Sequence, residues 1–218
     1  ELSFSGTVRY SGFVEPLLYK NIYNLLKKAR SINKKANLEM ITNGDVLNPA
    51  RLIKLFNSGL NRLFISVYDG PKDIKKFIKI RSKTQLNDKQ VVIRDRSFSS
   101  KKDFGITISN RAGMLENAEY TIMPLKKKME HPCYYPSYTF FMDYNGDVLM
   151  CAHDWGKKNI LGNLNNSSFR EIWYSQYSNQ IRKKLINGDR GFSPCNVCDV
   201  KGTLIGNKHA TEWKNYFR

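Results

Sequence analysis

Four cysteines are the residues of this sequence whose type and spacing could do chemistry. Cys195 and Cys198 form a C-x-x-C turn, a spacing that lets two thiolates reach one metal ion or cluster. Cys133 and Cys151 precede them and complete the set. Because four cysteines in 218 residues are too few for a disulfide-stapled scaffold, we interpret them as one site with four thiolate ligands.

Three interpretations of this set stay open on the residues alone. A [4Fe–4S] cluster and a structural zinc ion are both held by four thiolates. The third interpretation is that the cysteines are unrelated and simply buried, as free cysteines often are. His153, two residues after Cys151, could replace a thiolate ligand, but a structural or surface role is the one we favour.

The cysteines lie in a second half of the chain that has its own pattern. Apolar runs at residues 139–142 and 148–151 flank Asn145-Gly146, which predicts a β-hairpin. Apolar residues at helical spacing predict a helix over residues 168–185, and a loop then carries the C-x-x-C turn. This change of pattern predicts two domains, residues 1–125 and 126–218.

The first half alternates short β-branched runs with amphipathic segments, which predicts an α/β fold with parallel strands joined by helices. One of these helices has Asn48 as its N-cap, Pro49 in its first turn and Gly59 at its end. The predicted strands are residues 6–11, 38–42, 63–67, 91–94 and 106–109, and the predicted helices are residues 18–29, 48–59 and 72–81.

The net charge of +17 indicates either an anionic partner or a lysine-rich solvated surface. The basic residues form no long block, so nucleic acid is the less favoured partner. No apolar run is long enough to span a membrane and no secretory signal is visible, so we expect a cytoplasmic protein without a membrane partner.

A binding module without catalysis is the alternative function. A zinc-stapled basic domain could bind nucleic acid, with aromatic side chains stacking on the bases. The aromatic candidates are Tyr134, Tyr135, Tyr138, Phe140 and Phe141.

An ordered set of motifs in the second half resembles the SPASM/twitch domain of radical S-adenosylmethionine (SAM) enzymes. The motifs are residues 141–150 (FMDYNGDVLM) between the first two cysteines, then 161–164 (LGNL), 171–173 (EIW) and 194–199 (PCNVCD). With four cysteines, the domain is similar to the shortened twitch form. The resemblance implies that Cys133, Cys151, Cys195 and Cys198 hold one auxiliary [4Fe–4S] cluster, and it favours that cluster over zinc.

The first half resembles the same family at the end of its first predicted strand. Residues 12–18 (GFVEPLL) are similar to the family's Gly-Gly-Glu element, which implies that Gly12 and Glu15 bind the SAM amino group. Val14 stands where the family has its second glycine, and its side chain could crowd the methionine moiety.

Two further segments extend this resemblance along the predicted sheet. The turn Thr42-Asn43-Gly44 resembles the family's TNG turn, and Ser66 lies in a segment similar to the family's fourth strand, where a hydroxyl contacts the SAM ribose. The resemblance therefore implies that Thr42, Asn43 and Ser66 bind SAM.

One loop supplies the only catalytic candidate. Asn110-Arg111-Ala112-Gly113 resembles an N-R-A-G loop of SPASM-bearing members, and Arg111 is expected near the mouth of the barrel. There it could hold or deprotonate a substrate, although arginine rarely acts as a base.

The resemblance implies a partial (β/α)6 radical-SAM-type barrel lacking its first β/α unit, followed by a small α+β twitch/SPASM domain with a β-hairpin and a helix. The family's C-x-x-x-C-x-x-C motif is absent, and we expect truncation rather than a pseudoenzyme. The chain alone would then be inactive, and a second, catalytic [4Fe–4S] cluster is expected only in the full-length parent.

The parent is expected to be an oxidoreductase. Its implied reaction is a SAM-dependent radical dehydrogenation, or another modification, of a small molecule or peptide. A reductant such as flavodoxin or ferredoxin is implied as a partner, and the basic charge is compatible with an anionic substrate.

Overall fold

The computed structural model of the chain describes residues 4–96, 109–117 and 122–218. The chain divides into two compact units, Glu1–Thr107 and Ile108–Arg218. This division falls earlier than the predicted domain boundary near residue 125. Residues 109–117 group with the second unit because Asn110 hydrogen-bonds to Val197 and Asp199.

The first unit is a four-stranded parallel sheet in the order β1-β2-β3-β4. Its strands alternate with helices as predicted. The predicted strand at 106–109 lies, except for Ser109, outside the described residues. The strands are β1 (Thr7–Tyr10), β2 (Asn37–Thr42), β3 (Arg62–Val67) and β4 (Val91–Asp95); the helices are α1 (Ile22–Ile32), α2 (Pro49–Asn57) and α3 (Pro71–Ser82), with a 3-10 turn at Pro16–Leu18.

Local signals at helix ends account for most of this alternation. Asn48 caps α2 by accepting a hydrogen bond from the Arg51 backbone, and Pro49 opens the helix as predicted. Leu18 is an exception. It was expected to begin the first helix, yet it ends the 3-10 turn and is 67% exposed, because the helix begins only at Ile22.

The core of the first unit lies between the sheet and its helices. The sheet buries alternate residues such as Leu63, Ile65 and Val67 of β3 on one face. Leu52 of α2 and Phe77 of α3 pack against them. This packing fixes the carboxyl ends of the four strands along one edge of the sheet.

The second unit is a three-stranded antiparallel sheet packed with short helices. The predicted hairpin is confirmed, and Gly146 in its turn has a φ of +89°. The third strand was not predicted. The elements are α4 (Tyr135–Tyr138), β5 (Phe141–Met142), β6 (Asp147–Leu149), β7 (Ile160–Asn163), α5 (Phe169–Trp173), α6 (Gln176–Ile186) and α7 (Asn207–Tyr216).

The single helix predicted over residues 168–185 is wrong, because the chain forms two helices there. Ser168 and Glu171 form a capping box that starts α5. Ser175 then caps α6 by accepting from the Ser178 backbone, while the Ser178 hydroxyl donates to the Ile172 carbonyl. These side-chain bonds compete with a continuous helix and break it at Tyr174.

The aromatic side chains proposed for base stacking are packed within the second unit. Phe140 lies 4.7 Å from Phe169 between ring centroids, and Tyr135 lies 5.2 Å from the ring of His153. Each of the five is at least partly buried, so they do not form an exposed stacking face. No helix in the described ranges has the length and apolar character needed to cross a membrane.

Candidate metal centre

The four cysteines of the second unit line one cavity. Cys133 precedes α4, Cys151 follows β6, and Cys195 and Cys198 lie in the loop after α6. Three of the side chains are buried and Cys133 is partly buried. The rest of the lining is mostly apolar, from residues such as Met150. Thiols from three separate segments are therefore brought to one enclosed place.

Three of these sulfurs accept a hydrogen bond from the backbone N–H two residues further along the chain. The His153 N–H donates to Cys151 Sγ at 3.3 Å. The Tyr135 and Val200 N–H groups donate to Cys133 and Cys198 in the same way. A hydrogen bond to sulfur favours the thiolate, and such bonds also tune the potential of an iron–sulfur cluster.

Burial opposes ionisation of the thiols. It raises the pKa of Cys133 and Cys198, raises that of Cys195 to about 12, and raises that of Cys151 well above its ordinary value. The backbone N–H groups lower the pKa of three of them, but this effect is smaller. A metal or cluster that binds here must therefore displace protons from the thiols.

The four thiols of the cavity are not assembled around a single ion. As placed, no group of three or more His, Cys, Asp or Glu side chains in the described ranges could hold a single metal ion. A tetrahedral zinc site with Zn–S bonds of about 2.3 Å brings its sulfurs to within about 3.8 Å of one another. Four thiolate ligands are what both a zinc ion and a [4Fe–4S] cluster require, and the described cysteines supply four from one cavity.

His153 is a structural residue beside this cavity. Burial, and then the charge of Arg111, lower its pKa from 6.5 to about 4, so its ring is neutral at pH 7. Its two ring nitrogens lie 3.1 Å from the Ser109 hydroxyl and 3.4 Å from the Tyr135 hydroxyl. The structural role favoured by the sequence fits these contacts.

The loop with the catalytic candidate is attached to the C-x-x-C turn. Fully buried Asn110 donates from its side chain to the Val197 carbonyl and exchanges hydrogen bonds with Asp199. Arg111 follows with a φ of +49°, and its guanidinium lies over the ring of Trp155, 4.9 Å from the centroid. Arg111 therefore has an ordered position in the second unit.

Two residues of the site escaped the sequence analysis. Gly202, at a φ of +75°, lies directly against Cys133, where any side chain would meet the sulfur. Arg190 lines the cavity and is almost completely buried. Gly202 could have been found from the sequence, because it is a glycine shortly after the C-x-x-C turn. The sequence around Arg190 contains no pattern that marks it.

In the first unit, Glu15 joins two of the predicted SAM-binding segments. Its Oε1 accepts from the Leu17 backbone at 2.9 Å and from the Thr42 hydroxyl at 2.6 Å, and its Oε2 accepts from the Asn43 backbone at 2.8 Å. The carboxylate therefore fixes the turn at the end of β2. Because a carboxylate has about four acceptor sites, it retains capacity for one more donor.

The other two predicted SAM-binding residues are placed differently. Gly12 has a φ of +122°, so the turn after β1 uses the conformational freedom of glycine. Ser66 is buried in β3, and its hydroxyl accepts from Arg94 of β4 at 3.3 Å. The structure therefore brings together Glu15, Thr42 and Asn43, while Ser66 is engaged separately.

Comparison with known proteins agrees with the cavity of thiols. The SPASM family, described as an iron–sulfur cluster-binding domain, matches residues 133–199, which contain all four cysteines. The S-adenosyl-L-methionine-dependent 2-deoxy-scyllo-inosamine dehydrogenase of Niallia circulans is 30% identical over 200 residues, 91% of this chain and 74% of that protein. The chain belongs to the radical SAM family whose members carry a SPASM domain.

Solved structures support the same assignment. The crystal structure of BtrN in complex with AdoMet and 2-DOIA has a TM-score of 0.77 and 26% identity, covering 95% of this chain and 78% of that one. A structure of BtrN in an open conformation, at 24% identity and a TM-score of 0.66, shares the fold and covers 91% and 73%. The predicted fold class and the iron–sulfur cofactor are thereby confirmed.

Proposed function

We propose that Cys133, Cys151, Cys195 and Cys198 hold one auxiliary [4Fe–4S] cluster in a protein that oxidises a small polar molecule with SAM. The observation that carries the proposal is the cavity lined by four thiols inside the matched SPASM segment. Each thiolate of such a cluster binds a different iron, and the match of residues 133–199 to an iron–sulfur cluster-binding domain favours the cluster over a single zinc ion.

We infer that SAM is bound at the carboxyl edge of the first sheet. The Glu15 carboxylate is positioned by three hydrogen-bond donors of the chain and can accept one more hydrogen bond. A bound ammonium group could donate that bond. Gly12, Thr42, Asn43 and Ser66 are the proposed further contacts. The Niallia circulans relative is SAM-dependent by name, and the BtrN crystal contains AdoMet, which supports a SAM site in this chain.

The substrate is proposed to be a hydroxylated small molecule that loses two hydrogens. SAM and iron–sulfur clusters, when bound, supply hydrogen abstraction and electron transfer. The relative is a dehydrogenase of 2-deoxy-scyllo-inosamine, which supports this class of substrate. Arg111, fixed over Trp155, is the proposed contact to an acidic or anionic group of the substrate.

The proposed setting follows from the same chemistry. Four free thiols that must be available to iron are kept reduced in the cytoplasm, so a cytoplasmic location is proposed. A flavodoxin or ferredoxin is the proposed reductant.

Anaerobic reconstitution with iron and sulfide tests the cluster. A brown protein with about four irons per chain is expected, and Cys198→Ser should lose most of the iron. Because the chain has only four cysteines, the iron count reports this site alone. A colourless protein with one zinc ion per chain would contradict the proposal.

Calorimetric titration with SAM tests the second site. Glu15→Gln removes a charge that the proposal places at the SAM amino group, so it should weaken SAM binding at least tenfold. Asp88→Asn, which neutralises an exposed carboxylate of the same unit, is the matched control and should bind like the wild type. Equal affinities for both variants would contradict the SAM site.

A further inference from the structure

Arg190 is a buried cation without an anionic partner among its hydrogen-bond acceptors. Its side chain is 1% exposed. Its guanidinium donates to four backbone carbonyls, those of His131 (3.1 Å), Pro132 (3.1 Å), Val200 (2.8 Å) and Lys201 (2.5 Å), and lies 3.6 Å from the sulfur of Met129. Every one of these acceptors is uncharged.

Such burial is costly unless a counter-charge compensates for it. Carbonyl groups replace the lost hydrogen bonds to water, but they carry no net charge. The second buried arginine of this unit, Arg182, shows a different solution. Its guanidinium lies over two indoles, 4.0 Å from the Trp173 centroid and 4.2 Å from the Trp213 centroid, whose π faces attract the cation, although burial still lowers its pKa to about 10.

The compensating charge for Arg190 lies in the cavity that it lines. Beside the four cysteines and Arg190, that lining contains three other ionisable groups, those of Tyr135, His153 and Asp154. Tyr135 and His153 are neutral at pH 7. Asp154 is a buried carboxylate that accepts from the Lys158 and Asn159 backbones, and it is not among the hydrogen-bond acceptors of Arg190. Arg190 shares the cavity lining with the four cysteines, and among the described residues of that lining it is the only Lys or Arg, so its charge is placed next to these sulfurs.

We propose that Arg190 is a positioning residue whose fixed positive charge balances the thiolate-bound cluster and raises its reduction potential. This inference rests on the proposed function, namely on a cluster held by the four cysteines. Reduction adds one electron, and a neighbouring buried cation stabilises the more negative product. In the proposed dehydrogenation the SAM-derived radical would take one hydrogen atom, and the substrate would then lose one proton and one electron; a higher potential at the four cysteines would favour uptake of that electron by a bound cluster.

The hydrogen bonds of Arg190 also have a structural effect that must be separated from its charge. The carbonyls of His131 and Pro132 precede Cys133, and those of Val200 and Lys201 follow Cys198. The guanidinium therefore joins the two segments that present these thiols. Arg190→Gln removes the charge, whereas Arg190→Lys keeps a charge but loses the planar fork of donors.

The experiment is a redox titration of the reconstituted chain, followed by electron paramagnetic resonance of the reduced cluster. In Arg190→Gln the ratio of reduced to oxidised cluster at a fixed potential should fall at least tenfold, which for a one-electron couple is a shift of about 59 mV. Arg190→Lys should keep the wild-type ratio within a few-fold and lose thermal stability. Arg182→Gln, the matched control, should leave the ratio unchanged.

Iron loading and the midpoint potential of these variants together support or contradict the inference. A loaded Arg190→Gln protein with the wild-type midpoint overturns the inference. If Arg190→Gln does not load iron, Arg190→Lys is the deciding variant. An Arg190→Lys protein that loads iron and has the wild-type potential supports the proposed effect of the positive charge, and a shifted potential contradicts it. If neither loads while Arg182→Gln does, the donor fork alone matters and the inference is wrong. A wild-type chain without iron contradicts the proposed function instead.

Discussion

Replacing Gly202 by alanine should displace a ligand of the cluster. At this position an added Cβ would lie far inside the contact distance of Cys133 Sγ, 3.1 Å from Cys133 Cβ and 3.3 Å from its Cα. A normal carbon contact is about 3.5–4.0 Å, so Cys133 would have to move by about 1 Å or more. Metal sites tolerate errors of only about 0.2 Å in ligand distance.

Backbone hydrogen bonds on both sides of Cys133 oppose its displacement. The Cys133 N–H donates to the Leu185 carbonyl at 2.9 Å, and the Tyr134 N–H donates to the Gly202 carbonyl at 2.8 Å. The positive φ of Gly202 adds about 1–2 kcal/mol of strain for alanine, and overpacking adds about 1–3 kcal/mol. We therefore expect Gly202→Ala to lower the free energy of unfolding by about 2–5 kcal/mol.

The assay is iron and sulfide content after anaerobic reconstitution, together with urea unfolding. Gly202→Ala should retain less than roughly a quarter of the wild-type iron. Gly70→Ala is the control, because Gly70 also has a positive φ, +100°, but no atom within 4 Å of the added Cβ. It should lose stability and keep its iron. Full iron loading by Gly202→Ala would refute the proposed contact with a cluster ligand.

Three further predictions concern single side chains. Cys198→Ala should abolish iron binding and the visible absorbance, and retention of half of the iron would mean that another group replaces this thiolate. Val14→Gly should strengthen SAM binding a few-fold in calorimetry, because the 55% exposed Val14 side chain stands where the family has glycine; weaker binding would contradict this. His153 has a folded pKa of about 4, below its unfolded value of 6.5. The contribution of this neutral ring to the free energy of unfolding of the metal-free chain is therefore complete above about pH 6.5. It should fall by up to about 3 kcal/mol as the pH drops toward 4. Urea unfolding of His153→Gln should lack this part of the pH dependence, and identical pH profiles would contradict the buried neutral ring.

Many features of the chain are determined by the sequence because short-range interactions produce them. Asn48 and Pro49 start α2 by local capping, and Asn145-Gly146 closes the hairpin because few other residues adopt its turn. The break at Tyr174 is also local, yet a helical apolar pattern ran through it. Two capping serines outweighed that pattern, which shows where periodicity alone misleads.

The candidate site was predicted in part from the sequence and was completed only by tertiary contacts. The identities and spacing of the four cysteines predicted a four-thiolate site, and their motifs predicted its family. Only the tertiary structure brought Cys133 and Cys198 to one cavity and placed Gly202 and Arg190 beside them. These contacts join residues that are distant in the chain, and no local propensity encodes them. Burial and charge at the centre therefore depend on packing that the sequence pattern alone does not express.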